Sequence, residues 1–305
     1  MNPVSLIPYV CGAGASKPGA ELGAVYCYEQ GLTEKLHAHG VSAVWACDPE
    51  MHWNGPYGQT AHVPLTALGT PERLETVAWH LHVLAENVAA ELRQGNRVVA
   101  IGGDHSMAAG SIAGVQMAMG EEATIGVIWV DAHPDLHSLQ SSVSKSLHGM
   151  PMGSLLGLDD TLLVPGVTSP VLRPENVLYL GLRDVDAGEI ENAKSLGMNL
   201  ISMEDLRSRN IAGTVQDAVM QLAMRCDQIV LSIDLDGFAP DIAPATGTPV
   251  PGGFLPDEII PVLSGIVRAY PVPLIEIVEF NPTLPGADKT YQFMIDLLAE
   301  LLPAE

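Results

Sequence analysis

Five short apolar runs, each closing on acids or a histidine, constrain this chain more than any other feature. They are RVVAIGG (97–103), IGVIWVDAH (125–133), NVLYLGLRD (176–184), QIVLSIDLDG (228–237) and PLIEIVEFN (273–281). Continuous runs rich in β-branched residues mark strands buried on both faces of a parallel sheet. The opening MNPVSLIPYV reads as a further strand. Helix-like segments lie between the runs, at roughly 70–94, 105–119, 187–196, 203–208, 213–225, 256–269 and 288–302. Pro256, Asp257 and Glu258 place a proline and two acids in a first helical turn, which is a start signal. Strands alternating with helices imply right-handed βαβ crossovers and one open α/β sheet. With no repeat, low-complexity tract or linker, a single domain over residues 1–305 is expected. The chain is 47% hydrophobic, enough for a large core. No apolar run approaches the roughly 20 residues that span a bilayer.

The polar residues gather where the strands end. GGDHS (102–106) follows VVAI, DAHPD (131–135) follows IGVIWV, and DLDG follows IVLSI. RDVD follows LYLGL, and Glu279 ends LIEIVE. Sites in open α/β sheets form outside the carboxyl ends of the strands. Alternate side chains of an extended chain share a face, so Asp131, His133 and Asp135 point together, as do Asp234 and Asp236. Pro134 supports this by biasing His133 away from helical geometry. Carboxylates crowded into one space repel unless cations neutralise them. Four Asp and two His, counting His105, suit two divalent ions of the Mn, Zn, Co or Ni type, able to activate a shared water near neutral pH. Each motif alone has a plainer reading: GGDHS as a tight turn into a capped helix, a lone D-x-H as a surface or capping histidine at a strand end, D-x-D as a common structural sequel to a strand. Their joint occurrence at three strand ends favours the metal.

The formal charge is −22, from 14 basic and 36 acidic residues. Such a surface repels nucleic acid and anionic membrane, whose binding relies on basic clusters, and draws in cations. Cys11, Cys27, Cys47 and Cys226 are scattered and read as free thiols rather than a disulfide framework. The N-terminus lacks a positively charged secretory start, so a soluble, cytoplasmic protein is expected.

GGDHS, DAHPD and SIDLDGFAPDIAPATGTPVPGG (232–253) together resemble the arginase–agmatinase family, the ureohydrolases, in order, spacing and surrounding strands from about residue 95 to 300. The resemblance implies a three-layer α/β/α sandwich around a mostly parallel sheet. It implies two Mn²⁺ (Co²⁺ or Ni²⁺ also fitting the ligands), one held by His105, Asp131, Asp135 and Asp234, the other by Asp131, His133, Asp234 and Asp236. It implies hydrolysis of a guanidinium carbon to urea and an amine by a hydroxide bridging the metals. In that scheme Asp135 holds the nucleophile, Glu279 pairs with the guanidinium, and His148 in SLHGM shuttles protons. Thr248 would hydrogen-bond near the substrate. Homotrimers or homohexamers are the family's assemblies.

The loop SLQSSVSKSLHG and the segment GLRDVDAGE (181–189) resemble the arginase branch. There Ser144 sits at a carboxylate-contacting serine and Asp186 at an ammonium-contacting aspartate, which makes L-arginine the leading substrate. His137 and Ser146 stand where arginases usually carry asparagines, the first of them contacting the substrate carboxylate. An imidazole there could donate to a carboxylate, select another guanidino acid, or act as a third metal ligand. Asp184 and Glu189 read either as pocket-rim groups or as surface acids. Agmatine, 4-guanidinobutyrate, N-hydroxyarginine and guanidine stay open as substrates. A non-catalytic partner subunit would lack ligands, and here all six are present. His37, His39, His52, His62, His80 and His82 have no partner motif and read as structural.

Overall fold

Seven strands form one sheet in the computed structural model, which describes residues 3–49 and 70–302. They are β1 (Val4–Tyr9), β2 (Ala43–Trp45), β3 (Val98–Gly102), β4 (Ile125–Val130), β5 (Val177–Leu180), β6 (Gln228–Asp234) and β7 (Leu274–Val278). The order is β2-β1-β3-β7-β6-β4-β5, and every described pairing is parallel. The parallel sheet expected from the apolar runs is thus observed, and the mostly parallel sheet that the resemblance implied is parallel at every strand pairing among the described residues. The helices are α1 (Gly23–Glu29), α2 (Leu32–Ala38), α3 (Pro71–Arg93), α4 (Met107–Met119) and α5 (Pro151–Leu155), then α6 (Ala187–Ser195), α7 (Met203–Arg207), α8 (Ile211–Ala223), α9 (Pro256–Ala269) and α10 (Ala287–Leu301).

Period-two alternation along the strands builds the layers. Leu6, Val99, Ile128, Leu231 and Ile275 pack into one apolar cluster with residues of α1, α2, α9 and α10. Their neighbours Ile7, Val98, Val127, Val230 and Leu274 enter a second cluster with α3 and α4. Both faces of each central strand are therefore dry, which is why the runs carry no polar alternation. The result is helix layer, sheet, helix layer. Among the described residues, no helix is long and apolar enough to cross a membrane.

Two features place the site. First, β3, β7, β6 and β4 are consecutive in the sheet although they lie far apart in sequence. Their carboxyl ends, and the acids and histidines after them, therefore share one edge. Second, α4 lies unusually close to α3. A Cβ on Gly110 would sit 2.7 Å from the Leu81 carbonyl oxygen, and one on Gly114 2.7 Å from that of Ala85. Only glycine permits this approach, which fixes the helix that leaves GGDHS.

The differences from the sequence expectation are local. β2 spans three residues, too few for a periodic signal, and α1 and α2 have buried stripes only two or three residues long. The helix expected from residue 105 begins at Met107, because Asp104 accepts the Ser106 N–H at 3.0 Å and holds a turn first. All four cysteines are free.

Candidate metal centre

His105 follows β3 and lies almost wholly buried at the centre of the acidic cluster. Its Nδ1 is 3.0 Å from Asp131 Oδ2, 3.1 Å from Asp135 Oδ2 and 3.3 Å from Asp234 Oδ2. None of these contacts has hydrogen-bond geometry, so Nδ1 is a buried nitrogen without a directed partner. Three carboxylate oxygens and one imidazole nitrogen facing a common point fit a divalent cation. A second group forms beside it. His133 Nδ1 lies 3.4 Å from Asp131 Oδ1 and 3.2 Å from Asp236 Oδ2. His105, Asp131 and Asp135 in one group, and Asp131, His133 and Asp236 in the other, each bring ligand atoms within 4.8 Å of one another. Asp131 belongs to both, one oxygen to each.

Asp234 is placed differently from Asp131. Its Oδ2 faces His105, while Oδ1 accepts the Asp236 N–H at 2.7 Å. The expectation made it a bridge between two ions; here only its His105 side faces a cluster nitrogen. Asp236 is held by Ala132 N–H on Oδ1 (3.1 Å) and by the Thr248 hydroxyl on Oδ2 (2.8 Å). Thr248 thus hydrogen-bonds a cluster acid and also lines the adjoining pocket.

The charges explain why this cluster calls for cations. Burial, reinforced by Asp131, pushes the Asp236 carboxyl up to about 6. Burial and neighbouring acids also raise Asp135 and Asp234. Burial works against ionised Asp131 too, but the two imidazoles outweigh it and hold that carboxyl below its usual range. Burial would lower His105 and His133; their carboxylate neighbours raise both instead. Protons on the acids and imidazoles thus balance the metal-free cluster, and divalent cations would replace them.

Glu279 and His148 adjoin the cluster. Glu279 Oε1 accepts the His105 backbone N–H at 2.9 Å and lies 3.0 Å from His148 Nδ1. Burial would lower the His148 imidazole, but Glu279 more than offsets this and it is pushed up to about 9. Asp135 and Glu279 both adopt left-handed backbone conformations, with φ of 49° and 66°. Such strain costs on the order of 1–3 kcal/mol per residue and collects where a side chain must be aimed.

Against the cluster residues His133, Asp135 and Asp234 lies an open pocket also lined by His137, Ser144, Ser146, His148, Asp184, Asp186, Glu189 and Thr248. Ser144 Oγ accepts the Ser146 N–H at 3.2 Å, and His137 Nε2 lies 2.9 Å from Asp186 Oδ2. Asp184 Oδ2 is 3.5 Å from His133 Nε2, and the buried Glu189 accepts the Leu136 and Asp186 N–H groups. Both line the pocket, Asp184 as an exposed rim group and Glu189 as a buried carboxyl that also braces the loop.

The sequence reading missed the groups that hold the cluster. Trp129 stacks on His105 with ring centroids 4.0 Å apart and donates from Nε1 to Asp131 Oδ2 at 3.0 Å. Its position two residues before Asp131 was the available signal, since alternate residues share a face. Ser232 Oγ meets His105 Nε2 at 2.9 Å. Arg183 binds the backbone carbonyls of Gly181, Asp236 and Val250, clamping the loop after β6. His80 bonds the Thr76 carbonyl and His82 faces Glu86, as a structural reading expects; His52 and His62 lie outside the described residues.

A fully parallel sheet carrying two His/Asp groups with a shared carboxylate defines an α/β protein equipped for binuclear metal chemistry. Known proteins make that class specific. The Arginase family model matches residues 3–303. The chain is 30% identical to arginase of Bacillus caldovelox over 302 residues, covering 99% of this chain and 98% of that one. It is 32% identical to human Arginase-1 over 280 residues, covering 89% and 82%. The crystal structure of Bacillus subtilis arginase superposes with a TM-score of 0.85 at 29% identity, over 100% of this chain and 99% of that one. The chain belongs to the arginase family and is an arginase-like amidinohydrolase.

Proposed function

We propose that this protein hydrolyses L-arginine to L-ornithine and urea at a centre of two Mn²⁺ ions. The observation that carries the reading is Asp131, whose two oxygens serve two adjacent His/Asp groups directly beside the buried Glu279. His105, Asp131, Asp135 and Asp234 would hold one ion; Asp131, His133, Asp236 and Asp234 the other. Bound there, the ions would lower the pKa of a water enough to supply hydroxide near neutral pH.

The remaining steps belong to side chains. Glu279 accepts the guanidinium, a planar donor that meets a carboxylate bidentately, and so sets the carbon over the cluster. His148 holds Glu279 in the absence of substrate and yields it to the guanidinium. With Nδ1 on Glu279, His148 has Nε2 left to exchange protons with solvent. Asp135 orients the nucleophile and passes its proton to the departing amine. In the pocket Ser144 and Ser146 donate to the α-carboxylate, and Asp186 accepts from the α-ammonium. No nucleic acid or membrane partner is proposed. A homotrimer or homohexamer in the cytoplasm is the assembly and location we propose from the family. Co²⁺ or Ni²⁺ would fit the same ligands.

The test is product release by the Mn²⁺-loaded protein. Urea and ornithine formed one to one from arginine support the reading. No urea from arginine, agmatine, 4-guanidinobutyrate, N-hydroxyarginine or guanidine would refute it. Turnover of another compound in preference to arginine would support the second reading, a ureohydrolase for a different guanidino substrate, which the imidazole of His137 in the pocket favours. Ser144→Ala should raise KM for arginine roughly tenfold, since a hydrogen bond to a charged group contributes about 1.5–3 kcal/mol, with kcat within about twofold. Steady-state kinetics of that variant check it.

A further inference from the structure

His137 is the side chain in the pocket whose role the motifs leave open, and its hydrogen bonds define that role. Ser141 Oγ accepts two N–H groups, from Ser138 N at 3.0 Å and from Asn192 Nδ2 at 3.0 Å. Those use both lone pairs of the hydroxyl, so it must donate its own hydrogen. His137 Nδ1, at 3.1 Å, is its nearest acceptor. The Ser138 carbonyl, at 3.4 Å, is a second acceptor for that hydroxyl. On the other side of the ring a carboxylate oxygen only accepts, so Nε2 carries a proton and donates to Asp186 Oδ2 at 2.9 Å. Both nitrogens are spent. Gly149 and Gly188 flank the ring, whose Cδ2 and Cε1 would lie 3.8 Å and 3.2 Å from a Cβ at those positions. With these contacts in place no donor is left for a substrate carboxylate.

Asp186 is fixed by the same contacts. Its Oδ1 caps α6 by accepting from Gly188 N (2.8 Å) and Glu189 N (3.1 Å). His137 holds Oδ2 from the other side, so the carboxylate cannot turn about its terminal bond. A carboxylate offers about four acceptor positions. Three are taken, and the remaining one on Oδ2 belongs to a group that is half exposed and lines the pocket.

We infer that His137 is a positioning residue for the ammonium contact: it aims Asp186 at a substrate α-amino group and contributes nothing to carboxylate recognition. The inference rests on the ureohydrolase reading of this site. It makes the terminal ammonium, rather than the carboxylate, the substrate group that depends on His137. Guanidino compounds bearing an ammonium one butylene chain from the guanidinium are the class this pair selects.

Three ligands separate the two roles: L-arginine, agmatine (ammonium without carboxylate) and 5-guanidinopentanoate (carboxylate without ammonium). Each is read in the Mn²⁺-loaded protein as KM where urea is released, and as an inhibition constant against arginine where it is not. His137→Ala should weaken arginine and agmatine about tenfold, the loss of a hydrogen bond to a charged group, and leave 5-guanidinopentanoate within about twofold, with kcat for arginine little changed. Asp186→Asn should give the same pattern, and the double variant should be no worse than either alone. His137→Gln, whose amide can still donate to Asp186, should recover most of the loss. A His137→Ala variant that weakens arginine and 5-guanidinopentanoate but spares agmatine would make His137 a carboxylate donor and overturn the inference. Equal weakening of all three, or of none, would also overturn it. Absence of urea from arginine and agmatine alike would instead remove the ureohydrolase reading, and the inference with it.

Discussion

Asp236→Ala is expected to bind one divalent cation where the native chain binds two, and to lose about 1,000-fold in kcat. Asp236 is almost fully buried and faces His133 Nδ1 at 3.2 Å, so it completes the second group with Asp131. Without it, His133, one Asp131 oxygen and an Asp234 oxygen that already accepts the residue-236 N–H are too few to retain an ion against water. The kinetic loss follows because an ion's charge stabilisation is worth several kcal/mol, at about 1.36 kcal/mol per tenfold. The fold should survive, because burying this carboxyl is unfavourable in the metal-free protein and alanine removes that burden. Elemental analysis gives the ion count and urea release gives kcat. Full activity with one ion per chain would mean that a single cation suffices.

Glu279→Gln is expected to keep both ions yet lower kcat/KM for arginine by about 1,000-fold, the scale of removing one partner from a buried charge pair. The amide retains the shape and can still accept the His105 N–H, so the cluster stays in place. What disappears is the negative charge opposite the guanidinium. A second readout follows in the metal-free protein, where Glu279 stabilises the His148 imidazolium and pushes it up to about 9. Removing that charge favours the neutral ring, so the His148 titration should move downward toward the ordinary histidine range. Ring-proton NMR follows it directly. An unchanged His148 titration would show that Glu279 is not what holds the imidazolium.

Much of this was legible because the physics is local. A strand buried on both faces leaves a short β-branched run such as IGVIWV, bounded by polar residues, whose length and composition separate it from a buried helix. The alternation in DAHPD sends three ligand types to one side of the chain. The resemblance of the motifs to ureohydrolases then assigned roles that spacing alone could not. What escaped depended on contacts between distant segments. Trp129 reads as one more core aromatic until His105, from the turn after β3, stacks on it. The left-handed backbone at Asp135 and Glu279 runs against local preference and is imposed by the assembled site. The Thr248 hydrogen bond to Asp236 was not legible either, because it depends on how the loop after β6 folds back under Arg183. His137 was ambiguous for the same reason: its partners Ser141 and Asp186 come from two separate segments.

The most direct test of the two-cation centre is the ion count of the native chain, stripped by chelator and then equilibrated with Mn²⁺. Elemental analysis should give two Mn²⁺ per chain, and paramagnetic resonance should show the two ions coupled through the shared Asp131. One uncoupled ion per chain, or none, would contradict the account.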